Sequence, residues 1–339
     1  MAKPIDWKSR IGRRLKLRDL YTFFAVDQHG SMAKAAAQLG MSQPSVSEVV
    51  ANMEDTLGVK LLERSPKGVE TTQYGRALLR RARAVFDELN QAVRDIEFLA
   101  DPTVGEVWMG CPESIAAAFL PPVIRDFVRD YPGIALHVDQ MITPPELRAR
   151  KTDFVIVRLN RLAENQFGDD LSVEILFDDE IVVAAGIHSQ WTRRRELGLA
   201  ELADAQWIQT SADSWGALLV EEMFRAGGLE KPRTSVTTFS VHLRTNLTAM
   251  GDFVTIMPRS VLNLNAERFG LRALPVQLAP RPWPVALVTL KNRTLSPPAA
   301  LFLERLRQSV RSTVAPHPSN AKPPLTLQRN RSDGRASPE

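Results

Sequence analysis

The residue types that carry catalysis are few and scattered in this 339-residue chain. Five histidines, His29, His137, His188, His242 and His317, show no metal-ligand spacing, and none sits in a carboxylate-rich motif. There is no GxSxG, HExxH, P-loop or GxGxxG motif, so an enzyme finds little support and no cofactor or metal is called for. Cys111, the only cysteine, has two readings: a thiol nucleophile or redox sensor, or a small residue buried as a hydrophobe. The more suggestive groups are cationic. Arg64 and Lys67 flank Ser65-Pro66 in a spot suited to meet phosphates or a minor groove. Arg158 lies near the end of the apolar run Phe154–Leu159, where an arginine either salt-bridges locally or binds an anion bidentately. This is binding chemistry.

Three helices must position the first group. Leu20, Phe23, Phe24 and Val26 give a segment at 18–28 its apolar face, and His29-Gly30 ends it. Ser31 caps a second helix whose Met32, Ala35, Ala36 and Leu39 face inward. Gly40-Met41 makes a short turn, and Ser42 caps a third helix with Pro44 in its first turn, where a missing N–H is harmless. Val46, Val49, Val50, Met53 and Leu57 form its buried stripe. Two short helices joined by a glycine turn, the second polar at its start, make a helix-turn-helix pattern; an αα-hairpin that only packs a bundle is the alternative. Residues 59–72 read as a two-stranded wing with Pro66 and Gly68 at its tip.

Residues 74–99 read as one long helix. Leu78, Ala82, Val85, Leu89, Ala92, Ile96 and Leu99 step by four and three, a heptad that calls for a partner helix; the alternative is a single helix lying on its own domain. From 104 to 312 strands and helices alternate, with strands expected at Val104–Gly110, Ile134–Val138, Phe154–Leu159, Ile181–Ala185, Trp207–Thr210, Ser235–Phe239, Phe253–Met257 and Val285–Leu290. The wholly apolar strand at 154–159 implies a parallel sheet covered on both faces, and two α/β lobes with a cleft at converging strand ends.

The charge divides unevenly. Residues 1–83 hold 15 Lys and Arg against 8 Asp and Glu, a balance of +7, which leaves −3 of the total +4 for the rest. A basic end on an acidic body suggests a nucleic-acid-binding domain joined to something else. Residues 1–14 are expected to be a basic flexible arm, and 313–339, with five prolines, a disordered tail. No apolar run is long enough to cross a membrane, no signal peptide is expected, and a lone cysteine fits a reducing cytoplasm.

Gly30-Ser31-Met-Ala-Lys-Ala-Ala-Ala-Gln-Leu39, Ser42-Gln43-Pro44-Ser45-Val46-Ser47, Leu57-Gly58-Val59-Lys60-Leu61-Leu62-Glu63-Arg64 and Thr71-Thr72-Gln-Tyr-Gly75 together resemble the LysR-type transcriptional regulators. The resemblance runs from about Leu17 to residue 312 and includes Phe119-Leu-Pro121, Tyr131-Pro132 and Met250-Gly251-Asp-Phe-Val-Thr-Ile-Met-Pro258. It implies a winged helix-turn-helix at 15–73, a dimerising linker helix at 74–99, and an effector domain at 100–312 resembling type 2 periplasmic binding proteins. One lobe is expected at about 104–177 and 281–312, the other at about 178–280. The implied partners are double-stranded promoter DNA, a small-molecule effector, RNA polymerase and further copies of the chain, as a homodimer or homotetramer.

Carried onto these positions, the resemblance puts Gln43, Pro44, Ser45 and Ser47 toward DNA, Ser31, Lys34, Ser42 and Thr72 near phosphates, and Arg64 and Lys67 in the wing. Gln suits adenine N6/N7, whereas hydroxyls and Lys mostly position the backbone. Glu48 departs from the family pattern: it either accepts a hydrogen bond from cytosine N4 or faces solvent and pairs with a neighbour. For the effector, the resemblance points to Ser114 and Thr143, with Arg158 and then Thr210, Ser211 and Ser240 as neighbours. A sugar, sugar acid or aromatic acid is the expected ligand class, and Glu113 beside Ser114 keeps a neutral ligand open. A constitutive DNA-binding protein that ignores small molecules is the third reading.

Overall fold

The computed structural model describes residues 14–65, 68–140, 144–159, 167–212, 214–276 and 283–313. The basic arm, the tail beyond 313, Pro66, Lys67 and Thr143 therefore lie outside the described residues.

The N-terminal unit packs α1 (Leu17–His29), α2 (Met32–Leu39) and α3 (Gln43–Leu57) around a core containing Phe23, Val26, Ala35 and Val46, all fully buried. Gly40 ends α2 at φ +61°, a left-handed conformation that suits glycine and lets α3 leave at a sharp angle. Strands β1 (Leu62–Ser65) and β2 (Gly68–Thr71) pair antiparallel with Leu62 opposite Thr71, forming the wing. The linker helix α4 (Gln73–Ala100) follows, and Leu79 and Ala82 from its first turns are buried in the same core. A Cβ on Gly75 would lie 2.4 Å from the Leu61 carbonyl oxygen, so only glycine lets α4 start this close to the wing.

The C-terminal domain holds two five-stranded sheets. The first has the order β4-β3-β5-β12-β6, made of β3 (Val104–Cys111), β4 (Gly133–Gln140), β5 (Phe154–Arg158), β6 (Leu171–Asp179) and β12 (Trp283–Leu290). Helices α5 (Glu113–Ala116), α6 (Leu120–Asp130) and α7 (Pro144–Arg148) connect its strands, and α11 (Pro297–Thr313) closes it. Phe127, Phe154 and Phe302 meet in its core. The second sheet has the order β11-β7-β10-β8-β9, from β7 (Ile181–Gly186), β8 (Gln206–Gln209), β9 (Thr234–Thr237), β10 (Phe253–Pro258) and β11 (Leu271–Ala273). Its helices are α8 (Trp215–Ala226), α9 (Val241–Ala249) and α10 (Arg259–Phe269).

The expected parallel sheet is mixed. Phe154 to Val157 are buried on both faces as the apolar run requires, and β3 runs parallel to β4 and β5. Strand β12, however, lies antiparallel to β5 and β6 because it returns from the second sheet and enters from the opposite end. Two strands escape the sequence pattern: the edge strand Leu171–Asp179, whose charged residues interrupt its alternation, and the three-residue Leu271–Ala273. The chain passes between sheets at Asp179–Ile181 and returns between Ala273 and Trp283. Among the described residues, no helix is long and apolar enough to cross a membrane.

Candidate nucleic-acid interface and effector cleft

The start of α3 presents its polar groups outward. Ser42 caps the helix by accepting from the Ser45 N–H at 3.2 Å, and the two hydroxyls lie 2.8 Å apart. Gln43, Pro44 and Glu48 are exposed, while Ser45 and Ser47 are half-buried. Ser31 caps α2 through the Lys34 N–H at 3.4 Å, and the Lys34 side chain is exposed on the same unit. Glu48 makes no hydrogen bond or ion pair among the described residues, which removes the neighbour-pairing reading. The backbone of Arg64 lies on β1 opposite Val69.

Thr72 corrects the expected phosphate contact. Its buried hydroxyl donates to the Lys60 carbonyl at 2.7 Å and accepts from the Gly75 N–H at 3.1 Å, so it caps α4. Glu54 escaped the sequence reading. Its carboxylate accepts from the N–H groups of Leu61 (2.8 Å) and Leu62 (3.3 Å) and from Lys60 Nζ (2.5 Å), anchoring α3 to the wing. Burial alone would raise this carboxyl, but the Lys60 bond and the two N–H groups hold it below the usual range.

The heptad on α4 divides between two tasks. Leu78 and Ala82 pack inside this chain, against the helix-turn-helix core, and so correct their expected place in a dimer seam. Val85, Leu89, Ala92, Ile96 and Leu99 remain exposed, Leu99 at 80%. The opposite face carries Asp87, Gln91 and Arg94, about half a turn away at 3.6 residues per turn, and meets the C-terminal domain. Asp87 receives Arg293 at two points and Arg150 at 2.6 Å. Arg150 reaches it from φ +59°, a conformation rare outside glycine. Arg94 and Arg293 lie 3.8 and 3.5 Å from the buried carboxylate of Asp153, which also accepts the Trp108 N–H.

Between the sheets, five of the six expected effector residues converge. Strands β8 and β9 run parallel, so Thr210, Ser211 and Ser240 follow neighbouring strand ends, and the Thr238 N–H bonds the Gln209 carbonyl at 2.9 Å. Thr210 bonds Ser214, the cap of α8, and Ser240 caps α9 by accepting from the Leu243 N–H at 3.2 Å. Ser114 lies 3.5 Å from Arg158 Nε. Arg158 takes the salt-bridge reading. Its guanidinium meets Asp179 at 2.8 Å, and Ser260 of the second lobe lies 3.4 Å from its other arm.

Glu113 has a role that the sequence does not suggest. From the first lobe its carboxylate accepts the Val241 and His242 N–H groups at 2.8 and 3.3 Å, placing an anion on the N-terminus of α9 in the second lobe. Beside it, a cavity of about 420 Å³ is lined by Glu113, Ala117, Val241, His242, Thr245 and Phe269 from both lobes, and by none of the five described effector residues. Cys111 is fully buried, and burial pushes its thiol up to about 11, so it is a core hydrophobe with little thiolate at neutral pH. Among the described residues there is no group of three or more His, Cys, Asp or Glu arranged to hold a metal ion.

A winged helix-turn-helix, a long connecting helix and a two-sheet domain with a polar cleft define a ligand-responsive helix-turn-helix regulator. Residues 17–76 match the family model "Bacterial regulatory helix-turn-helix protein, lysR family", and residues 100–311 match "LysR substrate binding domain". The chain belongs to the LysR family, a family of transcriptional regulators and not of enzymes. It is 31% identical over 326 residues to the HTH-type transcriptional regulator GbpR of Azospirillum brasilense, covering 94% of each chain. It is 25% identical over 306 residues to the HTH-type regulator YdcI of Escherichia coli K12, covering 90% of this chain and 99% of that one. The fold is similar to the crystal structure of CbnR, a LysR family transcriptional regulator, with a TM-score of 0.57, 22% identity, and coverage of 88% and 100%. It is also similar to full-length OxyR from Pseudomonas aeruginosa, with a TM-score of 0.59, 22% identity, and coverage of 88% and 95%.

Proposed function

We propose that this regulator reads promoter DNA with the start of α3, as a dimer or tetramer assembled through α4, and that a small catabolic metabolite between the lobes changes the geometry of binding. Gln43, Pro44, Ser45, Ser47 and Glu48 would face base edges, while Ser31, Lys34, Ser42 and the wing with Arg64 and Lys67 would position the phosphates. A sugar, sugar acid or aromatic acid is the effector class, held near Ser114, Thr210, Ser211 and Ser240, with Thr143 as a further contact. RNA polymerase is the downstream partner.

One observation carries this reading. Helix α4 is continuous from a helix-turn-helix core, where Leu79 and Ala82 are buried, to the effector domain, where Asp87 meets Arg293. A change in lobe angle is thereby transmitted to the spacing of the DNA-reading units in an assembly. Footprinting on the chain's own upstream region, with and without the compounds that stabilise it in a thermal-shift screen, tests the proposal. A footprint whose length or hypersensitive sites change with such a compound is the expected result. No stabilisation by sugars, sugar acids or aromatic acids, together with an unchanging footprint, would favour a constitutive DNA-binding protein.

A further inference from the structure

Two arginines are buried where the lobes meet, and they differ in their partners. Arg158 is complete, with Asp179 at 2.8 Å and Ser260 at 3.4 Å. Arg244, on α9 one turn beyond its Ser240 cap, is 9% exposed, and its guanidinium makes no hydrogen bond or ion pair among the described residues. Desolvation works against its charge and only the field of Glu113 supports it. The two oxygens of Glu113 are already engaged by the Val241 and His242 N–H groups, so this acid neutralises the helix end and forms no bond to Arg244. An arginine keeps its charge at neutral pH, and a buried charge without a partner is costly to the fold. Nothing within the described cleft repays that cost.

We infer that the missing partner is the effector itself: a monocarboxylate whose carboxylate pairs with Arg244 while its remaining polar groups meet Ser114, Thr210 and Ser211. A single negative charge is the right complement, because Arg158 and Asp179 cancel and Glu113 is matched by the α9 N-terminus. This assignment rests on the reading that the effector binds between the lobes, and it narrows the ligand class from sugars and acids in general to the acids.

Thermal melting of the full-length protein and of Arg244→Met, which keeps much of the apolar stem without the charge, tests it. The probes are acetate, gluconate and benzoate, each against its uncharged counterpart (acetamide, glucose and benzamide) at matched ionic strength. Without ligand, Arg244→Met should melt no lower than the native chain, since it removes an unpaired buried charge. At least one carboxylate should raise the melting temperature of the native chain saturably, with its counterpart inactive, and should bind Arg244→Met about tenfold or more weakly. Ligand-free melting of Arg244→Met well below the native chain would show that the arginine is needed for folding and would overturn the inference. So would the absence of any Arg244-dependent protection by acetate up to about 0.1 M. Neutral probes that protect both proteins alike would sink the anion and leave the cleft reading standing. Hydrogen exchange separates the two further: protection through Arg244 with no slowing at 210–212 and 238–245 would instead remove the cleft.

Discussion

Asp87 on the linker helix and Arg293, 206 residues later in the chain, form a two-point ion pair, Nε to Oδ2 at 2.9 Å and a second guanidinium nitrogen to Oδ1 at 3.0 Å. Their side chains are 12% and 3% exposed, and Arg150 joins the same carboxylate at 2.6 Å. One acid therefore fixes the direction of α4 against the effector domain. Asp87→Ala would leave two guanidinium groups without this partner, and a loss of about 3–5 kcal/mol is expected, as for breaking other buried pairs. Denaturant unfolding gives the size, and faster proteolysis near residues 100–104 gives the place; an unchanged midpoint would show that the pair contributes nothing.

The exposed half of the heptad predicts a separable defect. Ile96→Glu puts a charge on a position that is 65% exposed in the single chain, so the subunit should fold normally. Sedimentation should show a smaller assembly, and affinity for a two-half-site operator should fall by an order of magnitude or more. Leu79→Glu is the contrasting variant: it buries a charge in the helix-turn-helix core and should unfold that unit.

At the α3 start, Glu48 has no protein partner to satisfy, so its contribution is to what it meets in DNA. Selection of binding sites with Glu48→Gln should change preference at one base position, with cytosine there in the native consensus. Gln43→Ala should cost about 1–3 kcal/mol of discrimination at an adenine, whereas Lys34→Ala should weaken all sequences alike and lower the salt slope by about one.

Glu54 predicts a pH dependence. Its folded carboxyl lies below the ordinary value of 4.5, so the folded state favours the ionised form more strongly than the unfolded chain does. The stabilisation is complete above the unfolded value and is lost as pH falls through the folded one. Glu174, held low by Arg307, acts in the same direction from the effector domain. Glu54→Gln should therefore lower the melting temperature of the native protein at pH 7 and have progressively less effect as the pH is taken below about 4. An equal effect at both ends of that range would mean that the amide loses packing rather than charge.

The helix-turn-helix was legible because its signals are local. Ser31 and Ser42 cap helices two or three residues on, Gly40 turns the chain within its own peptide unit, and Val46, Val50 and Met53 recur at the helical period. The heptad was legible for the same reason, and its step alone shows which face of α4 is apolar. Thr72 marks where such reasoning fails: its residue type fits a phosphate contact, but the neighbouring Lys60 carbonyl and Gly75 N–H claim the hydroxyl once the wing folds back.

Arrangement beyond the neighbouring turn belongs to the tertiary structure. Glu113 caps a helix that begins 128 residues later, Arg158 reaches Asp179 across the first sheet, and Asp87 finds Arg293 only because β12 returns antiparallel to β5. No periodicity or spacing encodes these meetings, since each depends on where two sheets place the ends of distant strands. Sequence by itself determined the type of each element, the DNA-reading end and the absence of catalytic motifs. The tertiary structure alone decided which of the two buried arginines would be left with a charge to fill, because pairing of buried charges depends on distances that only the assembled lobes define.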